Sequence, residues 1–110
     1  MKVKVGKKTI DAVLADSSMQ HFFGLSFTKK KNMLFIMNYE KRWRLWMFGV
    51  RYPIKMIFID RNKKVIDVIN AQPITEDPKT WKVYKPKKPC KYILETPFKV
   101  DVKVGAKIDW

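Results

Sequence analysis

Lys55-Met56-Ile57-Phe58-Ile59-Asp60, then Arg61-Asn62-Lys63, then Lys64-Val65-Ile66-Asp67-Val68-Ile69 is the stretch whose reading decides the fold. Two runs rich in β-branched and aromatic residues flank three turn-forming residues, the pattern of an antiparallel hairpin. The first run is apolar at successive positions, so both of its faces should be covered and the strand should be central. Met33-Leu34-Phe35-Ile36-Met37 has the same character. Neither run approaches the roughly 20 apolar residues of a membrane span.

Upstream, Val3-Lys4-Val5-Gly6-Lys7-Lys8-Thr9-Ile10 predicts a hairpin with Gly6 at the first central position of a two-residue turn. With Val5 facing Lys8, Val3 faces Ile10 and Met1 faces Ala12, which puts the apolar partners on one face. Asp16-Ser17-Ser18 offers N-cap oxygens. Met19, Phe22 and Phe23 then make one stripe of a short helix ending near Gly24.

Downstream of the central run, Asn38 to Lys41 reads as a polar turn and Trp43 to Phe48 as an aromatic, strand-prone segment. Lys91 to Glu95 is a further strand. Phe98, Val100, Val102 and Val104 alternate with Lys99, Asp101 and Lys103, the signature of a strand with one wet face. Ala71 to Cys90 carries four prolines (Pro73, Pro78, Pro86, Pro89), so it cannot be a core strand throughout. An arm of this kind is expected to be functional or folded over an open sheet edge. The fold expected is mostly β, α+β at the margin. It is a small closed or partly open β-barrel with one short helix after the N-terminal hairpin, with residues 1–110 forming a single domain.

Composition agrees. The chain has 110 residues, 46% hydrophobic and 14% aromatic, enough apolar material for one core and too little length for two. Its 24 Lys+Arg against 10 Asp+Glu give a formal charge of +14. Residues 1–55 balance at +9 (12 basic, 3 acidic) and residues 56–110 at +5 (12 basic, 7 acidic), so the charge belongs to the folded body and not to a tail. The excess is either a solvated face or the footprint of a polyanion. Of the basic residues 20 are Lys and 4 are Arg, and glutamine is scarce, which suits a thermophile. No secretory leader is visible. Cys90 is the one cysteine, as expected of a cytoplasmic chain.

Four islands of sequence resemble one known set. They are Ala15-Asp16 with Gly24-Leu25; Met33-Leu34-Phe35; Trp46-Met47, Pro53 and Phe58-Ile59-Asp60; and Tyr92-Ile93-Leu94-Glu95 with Val104-Gly105. In order and spacing they resemble domain-of-unknown-function family 192, also called uncharacterised protein family 0127, over nearly the whole chain. The resemblance implies a small barrel-like β fold with little helix and brings no established activity. Where the family pattern has Asn-Thr, this chain has Gly49-Val50; where it has Asp, Lys55; where it commonly has Arg, Thr28. The polar groups most suited to a site are replaced while the apolar frame is kept, so a site there is either lost or altered.

Catalytic constellations are weak. A Cys–His dyad would need Cys90 and His21, and nothing in their spacing brings them together; Cys90 reads as a small inert side chain. Ser17 and Ser18 read as caps, and no nucleophile elbow surrounds them or Ser26. One His and one Cys cannot build a zinc site without several carboxylates. Glu76-Asp77 before Pro78 reads as a turn. Asp60 and Asp67 lie on opposite arms of the hairpin, and Asp60 is expected to shape the turn. Isolated carboxylates such as Asp60 and Glu95 are the remaining material for an enzymatic site. No metal and no cofactor is expected.

Two binding readings remain. In the first the chain is a non-enzymatic module whose Trp46, Met47, Phe48, Pro53, Tyr84 and Tyr92 line an apolar pocket of roughly 300 Å³ or more beneath the proline-rich arm, for a small molecule or peptide. In the second, Arg42, Arg44, Lys82, Lys85, Lys87 and Lys88 form a basic face for nucleic acid or another polyanion. On a strand Arg42, Arg44 and Trp46 share one face, and Trp43 and Leu45 the other. That face either stacks bases and grips phosphates, or its tryptophans are core and its arginines snorkel outward.

Overall fold

The computed structural model describes residues 1–15, 30–47 and 49–110. Among these residues the strands are β1 (Lys2–Val5), β2 (Lys8–Ala15), β3 (Asn32–Lys41), β4 (Leu45–Trp46), β5 (Ile54–Ile59), β6 (Val65–Ala71), β7 (Val83–Tyr84), β8 (Cys90–Thr96) and β9 (Ile108–Asp109), with a 3-10 turn at Pro78–Thr80. Seven strands form one sheet in the order β6-β5-β8-β3-β2-β1-β9, and β4 pairs with β7 apart from it. Neighbours in the large sheet are antiparallel except β2 and β3, which run parallel.

The sheet curls until its two edges meet. The Val65 N–H donates to the Ala106 carbonyl at 2.8 Å, the Gly105 N–H to the Val65 carbonyl at 2.8 Å, and the Ile108 N–H to the Lys63 carbonyl at 2.9 Å. This seam joins the start of β6 to the segment leading into β9, closing one end of the half-barrel and satisfying edge groups that would otherwise be exposed. The mostly-β, barrel-like expectation is met. The short helix expected around residues 16–24 lies outside the described residues.

The N-terminal hairpin has the register its sequence dictates: Val5 faces Lys8 and Val3 faces Ile10. Met1 and Ala12 complete the ladder, the Ala12 N–H donating to the Met1 carbonyl and the Met1 ammonium to the Ala12 carbonyl. Gly6 takes φ 61°, the left-handed conformation that a turn of this type requires at its first central position.

The central strands are apolar on both faces because each face covers its own core. Leu34, Leu94 and Ile57 are aligned across β3, β8 and β5, and with Val3, Val5, Ile59, Val65 and Ile108 they fill the inside of the curl. Phe35, Ile93 and Phe58 align on the opposite face. Together with Met37, Met47, Val50, Ile54 and Tyr84 they form a second core between the sheet and the segments crossing it. A one-residue slip of β5 or β8 would exchange the two sets, so register is fixed from both sides.

Three expectations are corrected. Asn38 to Lys41 is not a turn: β3 continues to Lys41, which pairs with Cys90 after a register shift beyond Ile36. The Lys91 ammonium reaches the Met37 carbonyl across that irregularity, giving the bulged backbone a partner. Among the described residues of Trp43 to Phe48, only Leu45–Trp46 is strand. Phe98 to Val104 alternates but is not a strand. This segment passes the sheet with Val100 buried, and lysine side chains bond its carbonyls: Lys55 Nζ to Val100 at 2.5 Å and Lys8 Nζ to Lys99 at 3.2 Å. Of its four alternating apolar residues Val100 is buried and Val102 half-buried, while Phe98 and Val104 are exposed, so the sequence alternation is not matched by a period-two burial.

Candidate functional site

The proline-rich arm meets the rest of the chain as a two-stranded ribbon. Leu45 stands opposite Tyr84, and Trp46 opposite Val83. Alternation along both strands sorts these rungs. Leu45 and Tyr84 turn towards the outer core, and the Gln72 N–H donates to the Tyr84 phenol at 3.2 Å. Trp46 and Val83 point away, 61% and 52% exposed. Trp81 is also 61% exposed, and its indole N–H donates to the Thr75 carbonyl at 2.7 Å, which holds the ring in place.

Local chemistry fixes the arm. Asp77 caps the 3-10 turn by accepting the Lys79 N–H at 3.0 Å, with Pro78 at the turn's first position. Arg42 Nε donates to the Pro86 carbonyl at 2.8 Å. Asp67, buried on β6, accepts the Lys87 N–H at 3.1 Å on one carboxylate oxygen and the Val68 N–H at 2.9 Å on the other. Asp67 is therefore a fastener for the arm. Asp60 shapes the β5–β6 turn instead, accepting the Asn62 N–H at 2.9 Å and the Lys64 N–H at 3.0 Å.

The residues expected to line an apolar pocket are dispersed. Trp46 faces outward. Met47 is sealed in the outer core at 1% exposure, and Tyr84 is buried beside it. Tyr92 lies on the other side of the sheet, against the inner core, with its ring edge-on to Trp110 at 4.7 Å between centroids. Pro53 is exposed, and Phe48 lies outside the described residues. Gly49 takes φ 76° in a turn where the Val50 N–H meets the Met47 carbonyl at 3.1 Å. Asn is the other residue that tolerates this left-handed conformation. The exchange of Asn for Gly noted in the sequence therefore preserves a backbone requirement.

The basic residues are also divided. Arg44 and Lys85 flank the Leu45–Tyr84 rung just beyond the end of the ribbon, two residues from Trp46 and Val83 respectively, and both are exposed. Arg42 is engaged with Pro86. The Lys82 ammonium lies over the Tyr84 ring, 5.3 Å from its centroid. Lys87 and Lys88 follow in the loop before β8, exposed and off the ribbon. Trp43 packs inward against the outer core as its parity requires, with its indole N–H on the Tyr39 carbonyl at 3.1 Å and the Lys41 ammonium 5.1 Å from its ring.

Two groups acquire unusual chemistry through burial. Glu95 is 7% exposed, and its register partners are Met33 on one side and Met56 on the other. Burial pushes its carboxyl up to about 7 from an ordinary 4.5. Among the described residues it has no hydrogen-bond or ion partner. Sequence marked Glu95 as an isolated carboxylate, but only the pairing of three strands shows how apolar its surroundings are. The Cys90 thiol is sealed, and burial raises it to about 11, the behaviour of an inert side chain. No helix among the described residues is long and apolar enough to cross a membrane.

Known proteins share this architecture. A Novosphingobium aromaticivorans protein of unknown function superposes with TM-score 0.83 at 21% identity, covering 99% of this chain and 84% of that one. A Sinorhizobium meliloti structure superposes with TM-score 0.82 at 20% identity, covering 98% and 89%. At this identity the likeness is one of fold. In sequence, the chain is 33% identical to a UPF0127 protein of Pyrococcus furiosus over 100% of its own length and 96% of the relative's. It is 34% identical to a UPF0127 protein of Thermococcus sibiricus over 88% of its length and 64% of the relative's. The sequence model of the family DUF192, described as Uncharacterized ACR, COG1430, matches residues 1–110. On that match over the whole chain and the identity to these relatives, this chain belongs to the DUF192 family.

Proposed function

We propose that the chain is a non-enzymatic binding protein whose contact surface is the outer face of the β4–β7 ribbon, and that its ligand is single-stranded nucleic acid. The observation that carries this reading is the 61% exposure of Trp46 on the Trp46–Val83 rung, with the exposed Arg44 and Lys85 two residues further along the two chains. An exposed indole beside paired cations offers a stacking surface and phosphate contacts together, the combination used by single-strand binders. Trp81 adds a second ring held by a backbone bond, so little side-chain freedom is lost on contact. A formal charge of +14 gives the long-range attraction that steers a polyanion to such a face. The outer face is favoured over a pocket beneath the arm because Met47 and Tyr84 there are packed core.

The test is a fluorescence titration with a short single-stranded oligonucleotide at several salt concentrations. Quenching is expected to fall steeply as salt rises. Trp46→Ala should weaken binding by about 1–3 kcal/mol, the cost of one lost stacking surface. Lys85→Gln with Arg44→Gln should flatten the salt slope. Absence of binding at low salt, or binding indifferent to Trp46, would remove the proposal.

A further inference from the structure

A second, independent feature lies at the barrel seam, on residues the ribbon does not use. An open groove of about 490 Å³ is lined by Lys4, Gly6, Asn62, Lys63, Lys107 and Asp109, among others. The geometry points to a binding site for a phosphate group in this groove.

The seam concentrates like charge. Lys64 and Lys107 are direct partners in the backbone bridge that closes the sheet, an arrangement that repels when the two residues carry the same sign. Lys4 enters from β1, whose register partner there is Asp109. No ion pair forms between them among the described residues, where the salt bridges are Lys2–Asp11 and Arg61–Glu40. The residues lining the groove therefore include three lysines and one aspartate. The neighbouring carboxylate of Asp60 accepts two backbone N–H groups of its own turn and faces that work instead.

One wall is built rather than merely charged. Lys63 holds φ 64°, which a lysine rarely adopts, inside the turn that Asp60 clamps. Its ammonium donates to the Trp110 carbonyl at 3.0 Å and sits 4.3 Å from the Trp110 ring centroid. The side chain is thereby positioned at the groove, with one of its three N–H donors committed to that carbonyl. Gly6 forms part of the groove wall without a side chain to obstruct it. A multivalent oxyanion fits such a place because it can neutralise several ammonium groups at once and accept hydrogen bonds from each.

Free phosphate and the phosphate of a nucleic-acid backbone share this chemistry, so the test has two arms. Amide NMR spectra are followed during titration with inorganic phosphate, against chloride at equal ionic strength, and then with a single-stranded oligonucleotide. Saturable shifts at Gly6, Asn62, Lys63 and Ile108, with affinity reduced tenfold or more in Lys4→Gln/Lys107→Gln, are expected in at least one arm. Saturation by inorganic phosphate identifies a free phosphate ligand. Saturation by the oligonucleotide alone identifies backbone phosphate. If neither arm saturates at these amides, or the double variant binds as the wild type does, the site is overturned. Both substitutions are on exposed residues, and the unliganded spectrum reports whether the variant is folded. A negative result here leaves the Trp46 titration untouched.

Discussion

Met33 on β3 and Glu95 on β8 are direct cross-strand partners, so a carboxyl group is set against a methionine in the sheet's outer face. On β5, Met56 closes the other side. A carboxylate in such a place loses its hydration and gains nothing in return, so the neutral acid is favoured.

The first prediction follows from that sign. The folded-state value, about 7, lies above the ordinary 4.5, so the native state holds a proton that the unfolded chain releases. Stability from this group is fully present below about pH 4.5 and is lost as pH rises through about 7. The shift corresponds to roughly 3 kcal/mol at 1.36 kcal/mol per pH unit. Urea unfolding across pH 4 to 9 should show the decline, and Glu95→Gln should abolish most of it and be the more stable protein at about pH 8. A wild type and Gln variant with parallel pH profiles would contradict the assignment.

Asp67 is predicted to govern the arm more than the sheet. Asp67→Ala removes the acceptor of the Lys87 and Val68 N–H groups, at a cost of about 0.5–1.5 kcal/mol per hydrogen bond because both sites are only partly buried. Limited proteolysis between residues 72 and 89 should accelerate more than global unfolding does. Equal acceleration of both would mean the arm and sheet open together.

Phe58→Ala should be among the most damaging single substitutions. Its ring is fully buried at the centre of β5, between Ile93 and Asp67 on the flanking strands. A loss of about 3–5 kcal/mol is expected from the transfer and cavity terms, read as a lower urea midpoint with unchanged slope.

Cys90 should resist thiol reagents in the native protein. Its sulfur is sealed and its thiolate is disfavoured, with a value near 11. At about pH 8 only about one thiol in a thousand would be ionised, before any steric protection. Labelling by an aromatic disulfide is expected only as urea unfolds the chain; prompt native labelling would place the residue at the surface.

How legible the fold was depends on which residues are asked. The β1–β2 register could be read because Gly6 fixes the turn and the alternation of Val3, Val5 and Ile10 permits one pairing. The strands β3 and β5 could be read because they are apolar on both faces, and β8 was legible as a short strand. Phe98 to Val104 misled because alternation in sequence need not become alternation in burial: Val100 is buried, but Phe98 and Val104 are exposed. Trp46 stood between two readings because strand parity says which residues share a side but not which side faces water. Tyr92 and Tyr84 looked alike as aromatic candidates, yet a whole sheet separates them.

Local pattern thus determined the turns at Gly6 and at Arg61 to Lys63, most of the strands and the two-faced character of β3 and β5, since these follow from side-chain alternation and φ preference within a few residues. Tertiary structure alone decided that Trp46 is exposed, that Glu95 sits among methionines, and that Lys4, Lys63 and Lys107 gather at one groove. Each of those depends on residues far apart in the chain being brought together by the closure of the sheet. The free energy of closure comes from burying both faces at once, so no local stretch encodes it.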